Sequence, residues 1–402
     1  MTDASARSFN RRQAATALAD AAAGLAAWPA LAREAAREAG PGPGPGSSAS
    51  ASPGSGDIVI GQSAHLSGPL APTLKAVLRG QDMALAEFNR KGGVGGRSVS
   101  LVTLDDAYDA QKTVSNVKEL LARPDVVALF GLTNTAGIAA ALPLVAEKKV
   151  PLVGVYSGSP VLRARHNPYF FTTMASYRDE VVQMVRNLVT LHQSEIGLVY
   201  QNSPFGQLMA PVVEESCKAL GATLVAKVPL EVSGSDAVAA VNVLAAAKPR
   251  ALIFMSFGPS MVPFVKAARQ RIAAPIYCVS IANSRALIEA LGDEARGLAI
   301  AQIVPYPFRA TSALTRNYHA AMASADLPVD YDHFFGYLNF TVLLEGLKRA
   351  GKGVTPQKLA ASMESMRLLD IGGYTVDYSP ENHHGSKFVE LVMVAPGGKY
   401  LR

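Results

Sequence analysis

The sequence is poor in cysteine and in charged residues. Cys217 and Cys278 are the only cysteines among 402 residues, and neither lies in a Cys-x-x-Cys pair or at zinc-ligand spacing from a histidine. A disulfide between them is compatible with export, but the sequence does not fix their separation. Charged residues make up 17% of the chain, and the formal net charge of +6 is not gathered in a basic run. This pattern argues against a nucleic-acid-binding protein.

The sequence also lacks a membrane span and the common catalytic motifs. After the first 56 residues, no stretch reaches the roughly 20 apolar residues that a membrane-spanning helix needs. Ser157 follows Val155 by two positions, where a nucleophile elbow requires glycine. The glycines at 92–96 end a helical pattern and predict a turn rather than a dinucleotide-binding loop. Asp105-Asp106 fits a solvated turn, and His383-His384 lacks a spaced carboxylate or a third histidine. We therefore expect no metal site, no cofactor and no enzymatic activity.

The first 56 residues have the pattern of an export signal followed by a linker. Arg11 and Arg12 precede a short alanine- and leucine-rich stretch that ends in the small-residue site Ala30-Leu31-Ala32. We interpret residues 1–32 as an export signal, with the paired arginines as a hint of the twin-arginine route. An alanine-rich amphipathic helix is the alternative. Residues 33–56 are dominated by Gly, Pro, Ser and Ala, and predict a flexible linker.

From Asp57 onward, short apolar runs alternate with segments of helical periodicity. The predicted strands are 58–61, 98–104, 126–130, 150–155, 196–201, 223–228, 251–256, 276–279, 298–304, 374–378 and 388–394. The predicted helices are 74–88, 110–121, 135–148, 177–191, 205–220, 236–247, 259–271, 311–325, 331–350 and 355–365. This alternation predicts an α/β protein with two doubly wound parallel-sheet lobes joined by hinge crossovers.

Several segments of the body match, in order, the signatures of one protein family. They include IGQSAHLSGP at 60–69, FNRKGGVGGR at 88–97, DDAYD at 105–109, SYRDE at 176–180, VPYP at 304–307, GYLN at 336–339 and HHGS at 383–386. Over about residues 57–402 the chain resembles type I periplasmic binding proteins, and among them the branched-chain amino-acid-type (Leu/Ile/Val-binding-protein-like) components of ABC transporters. The resemblance implies a first lobe of residues 57–174 and 307–370, and a second lobe of residues 175–306 and 371–402.

The resemblance and elementary physics indicate the same place for a ligand. In open parallel sheets, ligands gather at the carboxyl ends of strands, where helix N-termini carry unpaired N–H groups and partial positive charge. A carboxylate fits such a place. The ligand-binding residues expected on this basis are Ser67, Thr133, Asn134, Thr135, Tyr156, Ser157, Gly158, Phe205, Ser256, Phe257, Ser280 and Tyr306.

Some of these positions have a simpler interpretation. Helix capping is the alternative for each polar residue at 133–135, and a core position is the alternative for Phe205. Ser159 precedes Pro160, so we expect it to cap a helix rather than contact a ligand.

The resemblance also raises the question of an amine on the ligand. Relatives that bind α-amino acids usually place a carboxylate near the Ser280 stretch, whereas residues 279–284 contain no acid here. A buried ammonium group without a partner would be costly. We therefore hypothesise that the ligand lacks an α-amine and is an aromatic or aliphatic carboxylic acid. Met174 is a second departure, because relatives often carry arginine there.

The function implied by the resemblance is solute binding outside the cytoplasm. We expect an extracytoplasmic, periplasmic solute-binding component of an ABC transporter that binds an amino acid or an organic acid between its lobes by hinge closure. It would act as a monomer and deliver the ligand to a membrane permease, without a nucleic acid partner. The alternative is a ligand-sensing module that presents the same ligand to a signalling receptor.

Overall fold

The computed structural model describes residues 56–68, 71–283 and 285–402, without the side chains of residues 72 and 73. The predicted export signal lies outside these residues, as does the predicted linker apart from Gly56. Within the described part, strands and helices alternate and form two lobes, each organised around its own sheet. The predicted two-lobed α/β architecture is thus confirmed.

The first lobe contains a five-stranded parallel sheet in the order β2-β1-β3-β4-β5. Its strands are β1 (Ile58–Ala64), β2 (Val99–Asp105), β3 (Val126–Phe130), β4 (Leu152–Val153) and β5 (Phe170–Phe171). The helices between them are α1 (Ala71–Arg90), α2 (Ala110–Leu121) and α3 (Thr135–Lys148). Strand β1 is buried along its whole length, as expected for a strand covered by helices on both faces.

The second lobe contains a seven-stranded sheet in the order β14-β13-β10-β9-β8-β6-β7. Five strands are parallel: β6 (Glu195–Gln201), β7 (Thr223–Leu230), β8 (Ala251–Met255), β9 (Ile276–Cys278) and β10 (Leu298–Gln302). Antiparallel β13 (Glu390–Val394) and β14 (Tyr400–Leu401) extend one edge. The helices of this lobe are α4 (Tyr177–Thr190), α5 (Pro204–Leu220), α6 (Ala237–Ala246), α7 (Met261–Arg271) and α8 (Arg285–Leu291).

The chain then returns to the first lobe. It forms α9 (Ala313–Ser324), α10 (Tyr331–Ala350), α11 (Pro356–Glu364) and a small hairpin of β11 (Leu369–Asp370) and β12 (Thr375–Val376). Helix α10 packs against α1 through glycines on both helices. A Cβ atom at Gly80 would lie 1.9 Å from the His333 carbonyl oxygen, and one at Gly336 would lie 1.9 Å from that of Val77. The two helices approach so closely because both contacts lack a side chain.

Three crossings join the two sheets, after β5, after β10 and before β13. Residues 371–386, assigned to the second lobe by sequence, contact the end of β5 in the structure. The amide of Thr172 donates to the His383 carbonyl (2.9 Å), and the Tyr374 hydroxyl donates to the Thr173 carbonyl (2.8 Å). The last crossing is therefore at residues 387–389 rather than at 370.

Most predicted elements are present, with a few differences that have local causes. The three helices after residue 310 are confirmed, whereas the strand predicted at 150–155 keeps only two residues. It stops where Gly154 adopts a left-handed φ of 65°, with its carbonyl bonded to Asn339 Nδ2 at 2.6 Å. Both cysteines are free and buried, so the disulfide alternative is not realised. Among the described residues, no helix is long and apolar enough to cross a membrane.

Candidate functional site

The ends of β1 and β2 place two acids beside the loop that contains His65 and Ser67. Asp106 is fully buried and accepts hydrogen bonds from the hydroxyls of Ser63 and Thr113, both at 2.9 Å. Asp105 accepts hydrogen bonds from the exposed Ser67 hydroxyl at 2.5 Å and from the Leu66 and Ala107 amides at 2.9 Å. Burial raises the pKa of Asp105, but these hydrogen bonds lower it below its ordinary value. Ser67 is therefore exposed to solvent, and its hydroxyl already donates to Asp105.

The end of β3 leads into helix α3 through three residues predicted as ligand contacts. The Asn134 side chain caps the helix, because its Oδ1 accepts from the Gly137 amide at 2.9 Å while its Nδ2 donates to the Tyr108 carbonyl at 2.5 Å. The capping alternative is thus correct for Asn134. Thr133 is buried, and its hydroxyl lies 2.9 Å from His65 Nδ1. Its contact with a ligand remains a prediction.

The end of β4 meets the end of β3 through hydroxyl groups. Thr135 Oγ1 and Ser157 Oγ lie 2.9 Å apart, so the fold brings two predicted residues together across neighbouring strands. Ser159 makes no capping hydrogen bond, and its buried hydroxyl has no partner among the described residues. The interpretation of Ser159 as a helix cap was therefore wrong. Its hydroxyl, like that of Ser157, is a possible donor to a ligand.

Tyr156 differs from its neighbours because its hydroxyl is used inside the first lobe. It donates to Gln81 Oε1 at 2.8 Å, and its ring packs edge-on against Phe130 and tilted against Phe335. Burial raises the pKa of Tyr156, so the phenol stays protonated. The hydroxyl of this half-buried side chain is thus bonded within the first lobe, and its contact with a ligand remains a prediction.

Gly158 joins the first-lobe tips, which are the residues that follow the carboxyl ends of β1, β3 and β4, to the second lobe. Its carbonyl accepts from the Tyr177 amide and from Arg163 Nη1, both at 3.0 Å. A Cβ atom at this position would lie 2.9 Å from the Tyr177 ring and 3.0 Å from its backbone nitrogen. Tyr177 begins helix α4, whose first turn is fixed by a capping box between Ser176 and Asp179. The position therefore requires glycine, because a side chain there would collide with Tyr177, the first residue of α4.

Three aromatic rings continue from this junction. The Tyr177 ring meets Phe205 edge-on at 5.5 Å, and Phe205 meets Phe257 edge-on at 5.2 Å. Phe205 and Phe257 are only half-buried. The alternative of a core position thus does not describe Phe205, and its role as a lid over a ligand remains a prediction.

Two serines predicted from the second lobe have their hydrogen-bonding capacity largely satisfied. Ser256 is fully buried, and its hydroxyl lies 2.7 Å from that of Ser260 and 3.3 Å from Gln201 Nε2. A ligand that binds the Ser256 hydroxyl would have to compete with those partners, and its contact with a ligand remains a prediction. The half-buried Ser280 donates its amide and its hydroxyl to the Glu180 carboxyl group, at 2.6 and 2.8 Å.

Glu180 corrects the premise that no acid lies near Ser280. It belongs to the first turn of α4 and is fully buried. Burial raises the pKa of Glu180 to about 7, although the two hydrogen bonds from Ser280 lower it. An acid is therefore present near Ser280, but both of its oxygens already accept hydrogen bonds, so an ammonium group would have to compete with Ser280 for them.

The arginine that relatives often carry at position 174 has a counterpart here in Arg163, which lies beside Met174. Arg163 extends one guanidinium nitrogen to the Met174 carbonyl at 2.9 Å and the other to Gly158. Burial lowers the pKa of Arg163 and nearby acids raise it. A guanidinium group thus lies beside the junction although residue 174 is methionine.

Tyr306 is not brought together with the other predicted residues. Its hydroxyl donates to the Tyr400 carbonyl at 2.8 Å, and its ring contacts Phe308 and Tyr331. It lines a separate pocket of about 350 Å³ together with Arg309 and residues 400–402.

Three residues of the site escaped the sequence analysis. His65 and Tyr177 lie next to predicted residues, in the segments IGQSAHLSGP and SYRDE, and Glu180 closes the second of these. Their signal was present only as part of the resemblance. Among the described residues there is also no group of three or more His, Cys, Asp or Glu side chains that could hold a metal ion.

Two α/β lobes joined by three crossings, with hydroxyl-bearing strand tips of one lobe joined to aromatic rings of the other, define a solute-binding architecture. The family model described as periplasmic binding protein matches residues 57–399, and the chain belongs to this family.

One curated relative and two solved structures are similar to this chain over most of its length. Leu/Ile/Val-binding protein homolog 8 of Brucella abortus (strain 2308) is 23% identical over 347 residues, covering 82% of this chain and 86% of the relative. An extracellular ligand-binding receptor from Verminephrobacter eiseniae is 25% identical with a TM-score of 0.79, covering 86% of this chain and 100% of the other. A substrate-binding periplasmic protein from Ralstonia solanacearum is 29% identical with a TM-score of 0.76, covering 86% and 99%.

Proposed function

We propose that this protein is the extracytoplasmic solute-binding component of an ABC transporter and binds a small carboxylate-bearing ligand between its lobes. The observation that carries the proposal is the continuous set of contacts from Thr135 and Ser157 through Gly158 and Tyr177 to Phe205. It links polar groups of the first lobe to aromatic surface of the second. A ligand with an anionic end and an apolar body fits such a pair of surfaces.

The anionic end of the ligand would bind the first lobe. Helix α3 begins at Thr135, so its first-turn amides and its partial positive charge lie beside the Thr135–Ser157 hydroxyl pair. Hydrogen bonds to a charged acceptor are stronger than those between neutral groups. These donors favour a carboxylate over a neutral amide or alcohol.

The apolar body of the ligand would contact the rings of Phe205, Phe257 and Tyr177. Edge-on packing leaves ring faces available to a branched aliphatic or an aromatic group. The Brucella relative is named for leucine, isoleucine and valine binding, which supports an apolar side group of that size. An aromatic or aliphatic acid would present the same surface.

The mechanism that we propose is hinge closure. The chain crosses between the lobes three times, at residues 172–176, 303–312 and 387–389, and such short connections act as hinges in two-lobed binding proteins. A ligand that contacts both lobes binds the closed form more tightly and so makes it the dominant population. The closed form would dock on a membrane permease, after export directed by the signal proposed for residues 1–32.

The test is a binding panel built from matched pairs. L-valine is compared with isovalerate, and L-phenylalanine with 3-phenylpropanoate, by thermal shift followed by calorimetry; each pair differs only in the α-amine. We expect at least one acid of the panel to raise the melting temperature and to reduce the radius of gyration in X-ray scattering. If the amino acid of each pair binds and its deaminated partner does not, the hypothesis of a ligand without an amine fails. Binding of carboxamides in preference to every acid would contradict the proposed carboxylate site.

Phe205→Ala provides the matched variant. Removal of the ring should weaken binding of the acid that binds the wild type by roughly tenfold or more. Phe308→Ala, which removes a half-buried ring from the separate cluster around Tyr306, should leave the affinity within about twofold. Equal losses in the two variants would remove Phe205 from the site.

A further inference from the structure

His65 carries a buried polar atom that the fold leaves unpaired. The residue follows β1 directly and is 6% exposed. Its Nδ1 atom lies 2.9 Å from Thr133 Oγ1, whereas its Nε2 atom has no hydrogen-bond partner among the described residues. Buried polar groups are nearly always paired in native proteins, so an exception calls for a partner that the protein acquires. The unpartnered Ser159 hydroxyl is a second exception at the first-lobe tips.

The protons of the His65–Thr133 pair can be counted. A neutral imidazole has one N–H group and threonine has one O–H group, and the hydrogen bond between them uses one of the two. One donor therefore stays free, at Nε2 or at the threonine hydroxyl. When the imidazole is protonated, Nδ1–H donates to Thr133 and both the Nε2–H and the threonine O–H are free. The protonated pair thus offers two donors and a positive charge, which match the two oxygens and the negative charge of a carboxylate.

The charged and titratable groups facing His65 come from β2 and the loop that follows it. Asp106 and Asp105 raise the pKa of His65, but burial has the larger effect and lowers it below its ordinary value. The Tyr108 ring lies edge-on at 5.2 Å, and burial raises the pKa of its phenol, so it adds no charge near neutral pH. In the ligand-free protein His65 is therefore neutral at physiological pH, and an anion beside Nε2 would favour its protonation.

We propose that His65 and Thr133 form a proton-linked subsite for the carboxylate of the ligand, so that ligand binding takes up a proton. This inference rests on the proposed function. It adds that the affinity rises as the pH falls, because a bound anion raises the proton affinity of His65 and, by linkage, protonation of His65 raises the affinity for the anion. A neutral ligand of the same shape would show no such dependence.

The test is calorimetry on the full chain with isovalerate, 3-phenylpropanoate, L-valine and L-phenylalanine between pH 5.5 and 8. For each acid that binds, we expect the dissociation constant to fall with decreasing pH, by up to about tenfold per pH unit in the steepest range. Heats measured in two buffers of different ionisation enthalpy should show proton uptake. This second measurement needs no variant, so it holds even if a substitution at His65 impairs folding.

Three variants identify the group that takes up the proton. His65→Gln keeps an amide donor but cannot titrate, and should bind with a flat pH profile and no proton uptake. His192→Asn changes an exposed histidine with a left-handed φ of 56° that asparagine also adopts, and should keep the wild-type slope. Glu180→Gln removes a buried carboxyl group whose pKa burial raises to about 7, and should also keep the wild-type slope.

The outcomes separate this inference from the proposed function. Binding with a flat pH profile in the wild type, or an unchanged slope in His65→Gln, would overturn the subsite and leave the solute-binding function standing. Loss of the slope in Glu180→Gln alone would assign the proton to Glu180 and equally overturn the proposal. If none of the four compounds binds at any pH, the proposed carboxylate ligand fails, and the subsite fails with it.

Discussion

The strand tips of the two lobes differ in how their polar groups are used. In the first lobe, His65 Nε2 and the Ser159 hydroxyl are buried without partners among the described residues, and Thr135 and Ser157 bond to each other. In the second lobe, the Ser256 hydroxyl is bonded within its own loop, and Ser280 donates twice to Glu180. Among the described residues, two buried polar groups thus lack a partner at the first-lobe tips, whereas in the second lobe the serine hydroxyls are paired and Gln302 Nε2, at the end of β10, lacks a partner.

This difference gives the ligand an orientation. A buried donor without an acceptor destabilises the protein by about 1–3 kcal/mol, so an anion that pairs with His65 and Ser159 relieves two such groups, against one, Gln302, at the second-lobe tips. The second lobe instead offers the rings of Phe205 and Phe257. We therefore expect the charged end of the ligand to face the first lobe and its apolar body to face the second. Substitutions at both sets of strand ends test this orientation.

The largest effect is expected at the junction itself. In Gly158→Ala the new Cβ would lie 2.9 Å from the Tyr177 ring and 3.0 Å from its backbone, so α4 must shift away from the first lobe. We expect the free energy of unfolding to fall by about 1–3 kcal/mol, and binding of the acid that binds the wild type to weaken with it. Urea unfolding and calorimetry measure the two effects.

Gly353→Ala is the control for this substitution. Its Cβ would meet only the end of the flexible Lys358 side chain, at 3.1 Å, so both stability and affinity should stay close to wild type. If Gly158→Ala is as stable as the wild type and binds as well, the contact between Gly158 and Tyr177 does not fix the position of α4 relative to the first lobe. The expected orientation of the ligand would then be unsupported.

A smaller effect is expected from Glu180, the buried acid bonded to Ser280 in the second lobe. Burial raises the pKa of Glu180 to about 7 from an ordinary value of 4.5, so the folded chain binds this proton more tightly than the unfolded chain does. Unfolding then releases a proton between those values, and the contribution of Glu180 to stability falls as the pH rises through the same window. Between pH 5 and 8 the wild type should lose on the order of 2 kcal/mol more stability than Glu180→Gln.

Urea unfolding at pH 5, 6, 7 and 8 checks this expectation. Glu147→Gln, which changes an exposed carboxylate in α3, should follow the wild-type profile. Parallel profiles for the wild type and Glu180→Gln would mean that Glu180 ionises freely in the folded protein. It would then be an available partner for an ammonium group, and the second lobe would no longer differ from the first in the way described.

The sequence predicts much of the fold because helix and strand patterns are local. Helix α10 was predicted at 331–350 and has those bounds, since Asp330 caps its start and Gly351 follows its end. The shortened strand β4 could not be predicted in the same way, because Gly154 is bonded by Asn339, which lies 185 positions away along the chain. The last crossing was misplaced for the same reason, since contacts of residues 371–386 with Thr172 and Thr173 leave no local pattern.

The site divides along the same line. Thr135 and Ser157 follow neighbouring strands of one sheet, so their proximity could be predicted from the strand order expected for the fold. The partner of Ser280 could not, because Glu180 lies 100 positions away on a helix. The partner of the Tyr156 hydroxyl could not be predicted either, because Gln81 lies 75 positions earlier in the chain.

The smallest effects come from two serines, one at each set of tips. Ser157→Ala removes a hydroxyl that bonds only Thr135 and, through its acceptor oxygen, the Ser159 amide. We expect it to weaken binding of the acid by roughly fivefold to tenfold, equivalent to about 1 kcal/mol, with little change in stability. Ser256→Ala instead leaves Gln201 and Ser260 with one partner fewer inside the lobe. It should lower the free energy of unfolding by about 1 kcal/mol and leave affinity within about twofold. Calorimetry and urea unfolding on both variants measure the contrast, and it fails if Ser256→Ala weakens binding as much as Ser157→Ala, because the second-lobe hydroxyl would then reach the ligand despite its internal partners.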